Sequence, residues 1–342
     1  MIYNFYPGPS KLHTSVPIWI TKALESGIIS RNHRSQVFMD LYQEVVKNLQ
    51  IKLNIPNDYS IYFVSSATEC WEIITQSFAN LPTIHFYTGS FGEKWAKNAQ
   101  KKQQNFSVFN QNFCKNSLLC VTPNETSNGS IFELEILDTF KKLYPKMLIA
   151  CDVTSGLAGV NYDLKKGDIW FASVQKCFGL PSGLALMIVS PKAIEEAKKI
   201  NQKNHYNDLL QLETNFLTFQ TPFTPNILNI FLLNEWAKQT LPIDKIAEKL
   251  KQRTKNAYQW IEKLKKAKPL IKNKEKRSDT VWAIETDKHT LVALHQEALK
   301  QNIILGNGYG EWKSTSFRIA NFPQIEDNEI VFLQDFLEIN LT

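Results

Sequence analysis

Two strand-end side chains are the first candidates for chemistry. Met147-Leu148-Ile149-Ala150-Cys151-Asp152 is an apolar strand pattern closed by a carboxylate. In open α/β sheets the carboxyl ends of strands line the ligand crevice, although an aspartate there also serves simply to cap a turn. Lys176 follows 24 residues later, just past the apolar run Ile169-Trp170-Phe171-Ala172-Ser173-Val174-Gln175. A lysine after a strand is ordinarily a solvated loop residue. Here Gly179, Pro181 and Gly183 follow closely, which predicts a tight loop and a desolvated amine able to attack a carbonyl.

Two strand-to-helix loops complete the set. Ser65-Ser66-Ala67-Thr68 would let backbone N–H groups at a helix start approach an anion. The same residues also suit plain helix capping. Phe91, in Tyr87-Thr88-Gly89-Ser90-Phe91-Gly92, could stack on a ring or belong to the core. Together, a strand-end aspartate, a strand-end lysine, an anion cradle and a loop aromatic suggest pyridoxal phosphate. Its ring nitrogen needs a carboxylate, its aldehyde a lysine, its phosphate a helix start, and its face a stacking partner.

The elements that must position these residues follow from hydrophobic periodicity. The spacing predicts helices over Val16–Glu25, Gln36–Leu53, Thr68–Ala79, Glu93–Gln100 and Glu133–Tyr144. It predicts strands over Ser60–Val64, Thr83–Tyr87, Ser117–Val121, Met147–Cys151, Asp168–Ser173 and Leu184–Ser190. Such alternation implies an α/β domain with a mostly parallel sheet. Residues 1–16 read as an extended arm, 17–240 as a large cofactor-binding domain and 241–342 as a small α+β domain. In the last of these, a Lys-rich helix over Pro242–Lys268 precedes strand-like Thr280–Glu285, helix-like Thr290–Gln301, strands at Ile303–Leu305 and Ser316–Ala320, and a closing helix over Asp327–Ile339.

Several segments now carry a family likeness: Phe5-Tyr6-Pro7-Gly8-Pro9, Asn32-His33-Arg34-Ser35, Thr88-Gly89-Ser90, Thr122-Pro123-Asn124-Glu125-Thr126-Ser127-Asn128-Gly129, Cys151-Asp152-Val153-Thr154-Ser155 and Ala172-Ser173-Val174-Gln175-Lys176. Over nearly its whole length the chain resembles the class V, fold-type I aminotransferases that use pyridoxal 5'-phosphate, and most of all the phosphoserine aminotransferases. The resemblance implies the fold-type I architecture, with Lys176 as the Schiff-base lysine and Asp152 as partner of the pyridinium nitrogen. It implies that Thr126 lies by the ring oxygen, that Ala67, Thr68 and Gln175 hold the phosphate, and that Phe91 stands in for the usual stacking Trp. Gln220-Thr221 falls where an Asn-Thr pair usually reaches the phosphate from the neighbouring subunit, so a homodimer is implied. Arg34 resembles a substrate-binding arginine, and Arg318 the arginine that grips the substrate carboxylate; His33 abuts Arg34 in an anion-binding stretch, and reads equally as a substrate-binding residue or a satisfied loop histidine.

Departures bear on the substrate. The His-Arg pair usual shortly before the C-terminal arginine is replaced by Glu311-Trp312, and Lys313 is left as the neighbouring cation. Arginine and lysine are not interchangeable at a bidentate site. The usual Gly-Gly of the phosphate loop is Ser65-Ser66. The implied function is phosphoserine:2-oxoglutarate transamination in serine biosynthesis. The alternatives are another class V aminotransferase, such as an alanine–glyoxylate type, or a non-catalytic cofactor-binding relative. Gln175 and Phe91 stand where cysteine desulfurases carry histidines.

Composition bounds the rest. At 342 residues with 43% hydrophobic and 21% charged residues, the chain has ample apolar material for packed domains. Five cysteines, Cys70, Cys114, Cys120, Cys151 and Cys177, form no CxxC or Cys/His ligand spacing, which argues against a disulfide framework or a metal site and for a reducing compartment. No secretory leader or apolar run of membrane-spanning length is visible, so a cytoplasmic location is expected and the sequons at Asn105, Asn124 and Asn128 read as chance. The net charge of +6 favours small anions over nucleic acid, and Lys251, Lys255, Lys263, Lys265 and Lys266 read as a solvated helix face. Gly306-Asn307-Gly308-Tyr309-Gly310 reads as a turn rather than a dinucleotide fingerprint.

Overall fold

The computed structural model describes residues 2–101, 116–201 and 205–342, and the backbone of 106–108. In chain order the strands are β1 (Tyr3–Phe5), β2 (Ser60–Val64), β3 (Thr83–Phe86), β4 (Phe106–Val108), β5 (Leu118–Val121), β6 (Asn124–Glu125), β7 (Ser130–Ile131), β8 (Leu148–Asp152), β9 (Ile169–Ser173), β10 (Ala185–Val189), β11 (Ala267–Pro269), β12 (Val281–Thr286), β13 (Ile303–Asn307) and β14 (Ser316–Ala320). The helices are α1 (Val16–Glu25), α2 (Gln36–Leu53), α3 (Ala67–Ser77), α4 (Ser90–Gln100), α5 (Glu135–Leu143), α6 (Pro191–Ile200), α7 (Leu209–Phe216), α8 (Ile227–Gln239), α9 (Ile243–Ile261), α10 (Lys288–Lys300) and α11 (Asp327–Leu341).

A seven-stranded sheet has the order β2-β10-β9-β8-β5-β3-β4. The pairs β3–β4, β3–β5, β5–β8 and β8–β9 are parallel, and β10 runs against both of its neighbours. Strands β2, β5, β8, β9 and β10 are buried along their whole length. Burial on both faces explains why they read as continuous apolar runs rather than alternating ones. One face carries Tyr62, Leu118, Leu148, Phe171 and Met187 against Trp71, Ile74 and Phe78 of α3 and Trp95 of α4. The other carries Phe63, Leu119, Ile149, Trp170 and Leu186 against side chains of α1, α2, α5 and α8. A second sheet has the order β1-β13-β14-β12-β11, with β1 parallel to β13 and the rest antiparallel.

Local signals account for several of these elements. Helix α2 starts at Ser35, whose hydroxyl accepts from Phe38 N, and ends at left-handed Asn54. It buries Phe38, Leu41, Val45, Val46 and Leu49 at helical spacing. The Lys-rich helix, by contrast, ends at Ile261 rather than Lys268. There the amides of Lys265 and Lys266 donate to Leu341 O, and Ala267–Pro269 pair with β12. Helices α6, α7 and α8 had no counterpart in the sequence reading; α8 is buried almost all round, so it shows no amphipathic period. Gly306 and Asn307 end β13 and Gly310 opens a short 3-10 turn, so the glycine-rich segment is part strand and part turn.

Cys70, Cys120, Cys151 and Cys177 are free and buried, while Cys114 and Asn105 lie outside the described residues. Asn124 and Asn128 are buried and hydrogen-bonded. Among the described residues no group of three or more metal-ligating side chains forms, and no helix is long and apolar enough to cross a membrane.

Candidate active site

The carboxyl ends of β2, β3, β5, β8 and β9 open on one side of the large sheet, and the candidate residues gather there. Asp152 is the last residue of β8 and is 5% exposed. Its Oδ2 accepts from Trp71 Nε1 at 3.0 Å and its Oδ1 from Thr154 N at 3.0 Å. Burial pushes the carboxyl up from its ordinary value, while those partners and the Lys176 charge pull it down.

Lys176 lies just past β9 and is 7% exposed. Its Nζ donates to Thr126 Oγ1 at 2.7 Å and sits 5.2 Å from the centre of the Phe91 ring. Desolvation pulls the amine down to about 8, against the raising effect of Asp152 and Glu125. The loop that carries it is tied on several sides. Ser10 N donates to Gln175 O, and Gln324 Nε2 donates to Lys176 O at 2.9 Å. Gly179, at φ 63, lets the chain turn back so that its own amide reaches Lys176 O. Gly8 packs on the lysine stem: a Cβ there would lie 3.0 Å from Lys176 Cε.

The anion cradle is the start of α3. Ser66 caps it, accepting from Glu69 N at 3.1 Å, and the Glu69 carboxylate returns to Ser65 N at 2.7 Å. Ala67 N donates to Ser173 Oγ at 2.8 Å, joining the cradle to the end of β9.

Phe91 stands in the first turn of α4, and that turn is fixed by Glu125, which is fully buried. The Glu125 carboxylate accepts from Phe91 N at 3.4 Å, Gly92 N at 3.2 Å, Ser127 N at 2.9 Å and Ser127 Oγ at 2.7 Å. An acid at a helix N-terminus is also favoured by the helix dipole. Arg318, in β14, is 3% exposed. It donates to Thr126 O at 2.9 Å and to Asn307 O at 2.7 Å, and its guanidinium lies 5.4 Å from the Tyr309 ring centre.

Ala67, Thr68, Phe91, Thr126, Asp152, Gln175 and Lys176 line one cavity of about 390 Å³, the size of a small-molecule site. Arg318 adjoins it through Thr126. A larger groove of about 940 Å³ runs along α9 and holds none of these residues. The cavity fits the pyridoxal phosphate expected from the sequence. Thr122, which also lines it, keeps a buried hydroxyl with no partner among the described residues, ready for a polar ligand.

The other expected residues lie elsewhere in this chain. Arg34 Nη1 donates to Gln220 Oε1 at 2.7 Å, His33 approaches Thr224, and Thr221 Oγ1 donates to Phe223 O. None of these lines the cavity. Lys313 is exposed, just after the Gly310–Trp312 turn. Sequence reasoning missed Trp71, Glu125, Lys94 and Gly8. Trp71 was within reach, four residues after Ala67 on the same helix face. Gly8 was not, because nothing local links it to Lys176.

The aminotransferase class-V family model matches residues 94–310. The chain is 26% identical over 351 residues to the phosphoserine aminotransferase of Corynebacterium glutamicum (strain R), covering 96% of this chain and 91% of that protein. It superposes on the crystal structure of a phosphoserine aminotransferase from Cytophaga hutchinsonii with a TM-score of 0.90 and 30% identity, over 100% of this chain and 99% of that one. The alanine–glyoxylate aminotransferase of a Nostoc species shares the fold, with a TM-score of 0.82 and 20% identity over 99% of this chain and 94% of that one.

Proposed function

Because the chain belongs to the class-V aminotransferases, a pyridoxal-phosphate-dependent family, we propose that it transfers the amino group of phosphoserine to 2-oxoglutarate. The observation that carries this reading is the meeting of a buried amine, Lys176, and a buried carboxylate, Asp152, in one cavity beside a helix N-terminus and Arg318. The bound cofactor supplies an aldehyde that captures amino groups and a protonated ring that draws electrons away from the substrate Cα.

The chain's own residues do the rest. Asp152 accepts from the ring N–H and keeps it protonated. Lys176 Nζ would hold the aldehyde and, when free, would move the substrate Cα proton as general base and then acid. Its depressed pKa suits both tasks. Phe91 would cover the ring face, and Thr126 would bind near the ring oxygen. Ala67, Thr68 and Gln175 bind the phosphate, joined by Gln220 and Thr221 of a second copy in a cytoplasmic homodimer. Arg318 holds the substrate α-carboxylate, and His33 and Arg34 face the substrate from the second copy. Lys313, exposed in this chain, joins them only if its side chain swings inward.

A second reading, an alanine–glyoxylate type of specificity, is favoured by Glu311-Trp312 where the His-Arg pair is usual. Mixing the yellow holoenzyme with phosphoserine, glutamate, serine or alanine and following cofactor absorbance decides between them. Conversion by phosphoserine and glutamate upholds the first reading. Conversion by alanine or serine without phosphoserine replaces it with the second.

A further inference from the structure

Three cations border the cofactor cavity, and two have tasks. Lys176 takes the cofactor and Arg318 the α-carboxylate. The third is Lys94, three residues after Phe91 on α4 and so on the same side of the helix. Its Nζ donates to the Tyr309 hydroxyl and lies 4.7 Å from the Tyr309 ring centre and 5.7 Å from that of Phe91. The two rings stack on each other with centres 4.8 Å apart. Tyr309 also carries the Arg318 guanidinium, 5.4 Å from its centre. One phenol ring therefore positions both free cations of the cavity.

Lys94 has no carboxylate within ion-pair distance among the described residues; its neighbour Glu93 pairs with Lys97 instead. A lysine held only by ring faces and a neutral hydroxyl keeps its charge available, and its long stem lets a compact ammonium follow a ligand. A substrate whose α-carboxylate sits on Arg318 therefore finds a second positive charge on the far part of the same aromatic wall. Glu311-Trp312 leaves that part of the chain without the usual His-Arg cations.

We infer that Lys94, positioned by Tyr309, is the specificity-determining cation of this site and binds the anionic side-chain group, phosphate or carboxylate, of the amino-acid substrate. This deepens the proposed function and rests on it.

The test compares holoenzyme of wild type, Lys94→Ala and Lys94→Arg, with cofactor loading checked by absorbance. Half-reactions are followed with phosphoserine, glutamate, serine and alanine. In Lys94→Ala, kcat/KM falls about ten- to a hundredfold further for the anionic pair than for serine and alanine, the loss of a charge-assisted hydrogen bond. The change sits mainly in KM, and Lys94→Arg recovers most of it. Whichever of phosphoserine and glutamate suffers more identifies the group as phosphate or carboxylate. Equal losses for all four substrates, or none, overturn the inference. Inorganic phosphate, titrated as a competitor of the half-reaction with alanine, separates this from the substrate assignment. If wild type fails on phosphoserine but phosphate binds it more tightly than Lys94→Ala, the phosphoserine reading falls and Lys94 stands. If phosphate binds both alike and glutamate loses no more than alanine, Lys94 falls.

Discussion

At the scale of single residues the site is an arrangement of desolvated charges. Lys176 titrates near 8 because burial disfavours its ammonium. Capture of an aldehyde needs the neutral amine, so the rate at which apoprotein binds pyridoxal phosphate rises as pH passes through about 8, well below the ordinary lysine range. Stopped-flow absorbance between about pH 6 and about pH 11, a range that spans both the shifted and the ordinary lysine, reads it. The linked stability has a definite sign. Between the folded and unfolded pKa values the unfolded chain binds more protons, so apoprotein stability gains from this group as pH rises across that window. Asp152 tests the opposite charge. Asp152→Asn keeps the shape and can still meet Trp71, but removes the negative charge that, on the proposed reading, would face the ring nitrogen. Turnover is expected to fall by about 10²–10³, as when a charge-stabilising partner is lost, while cofactor still binds. Steady-state rates beside an absorbance titration check both halves. Asp152 and Lys176 could be singled out in the sequence because each ends an apolar run. Gly8 and the Thr122 hydroxyl could not, because their importance lies in what they face rather than in their neighbours along the chain.

At the scale of elements the site depends on helix starts. Glu125 gathers the amides of Phe91, Gly92 and Ser127, so it sets where the aromatic ring stands. Glu125→Ala would leave those buried donors without an acceptor, a cost of about 1–3 kcal/mol in apoprotein stability. Pyridoxal phosphate affinity should weaken in parallel, because Phe91 is released from its place. Thermal unfolding of the apoprotein and equilibrium titration give the two numbers separately. The reading of elements from sequence succeeded where local chemistry decides. Ser35 and Asn54 bracket α2, and the residues between repeat at helical spacing. It failed where distant packing decides. Leu264 continues the apolar stripe of α9, yet the amides just after it are taken by Leu341 O and the next residues by β12. Helix α8 is apolar on every side because other elements surround it, which erases the period that would reveal it.

At the scale of the whole molecule, the residues divided between the cavity and the Arg34–Gln220 patch argue for shared sites. In a homodimer with such sites, Lys176→Ala and an Arg34→Ala/Thr221→Ala double variant each lose most activity alone. Mixing the two under exchanging conditions restores activity, because one site of each hybrid has an intact lysine and an intact partner. Light scattering gives the assembly state, and a fully active monomer would remove the idea. The parallel character of the large sheet was legible in the alternation of apolar runs and helices. The partner of β1 was not, since three residues carry no register.

That same short strand bears on how the protein is made. Tyr3 pairs with Ile303, Ser10 holds Gln175 O, and Gln324 reaches both Ser10 Oγ and Lys176 O. A nascent chain leaving the ribosome cannot close the Gln324 ties to Ser10 and Lys176 until residue 324 has emerged. Through most of translation the Lys176 loop therefore lacks the Gln324 ties that hold its carbonyl. The loop is therefore completed only when synthesis is nearly over, and a ribosome stalled before β13 should display a chain that holds pyridoxal phosphate less tightly than the finished protein.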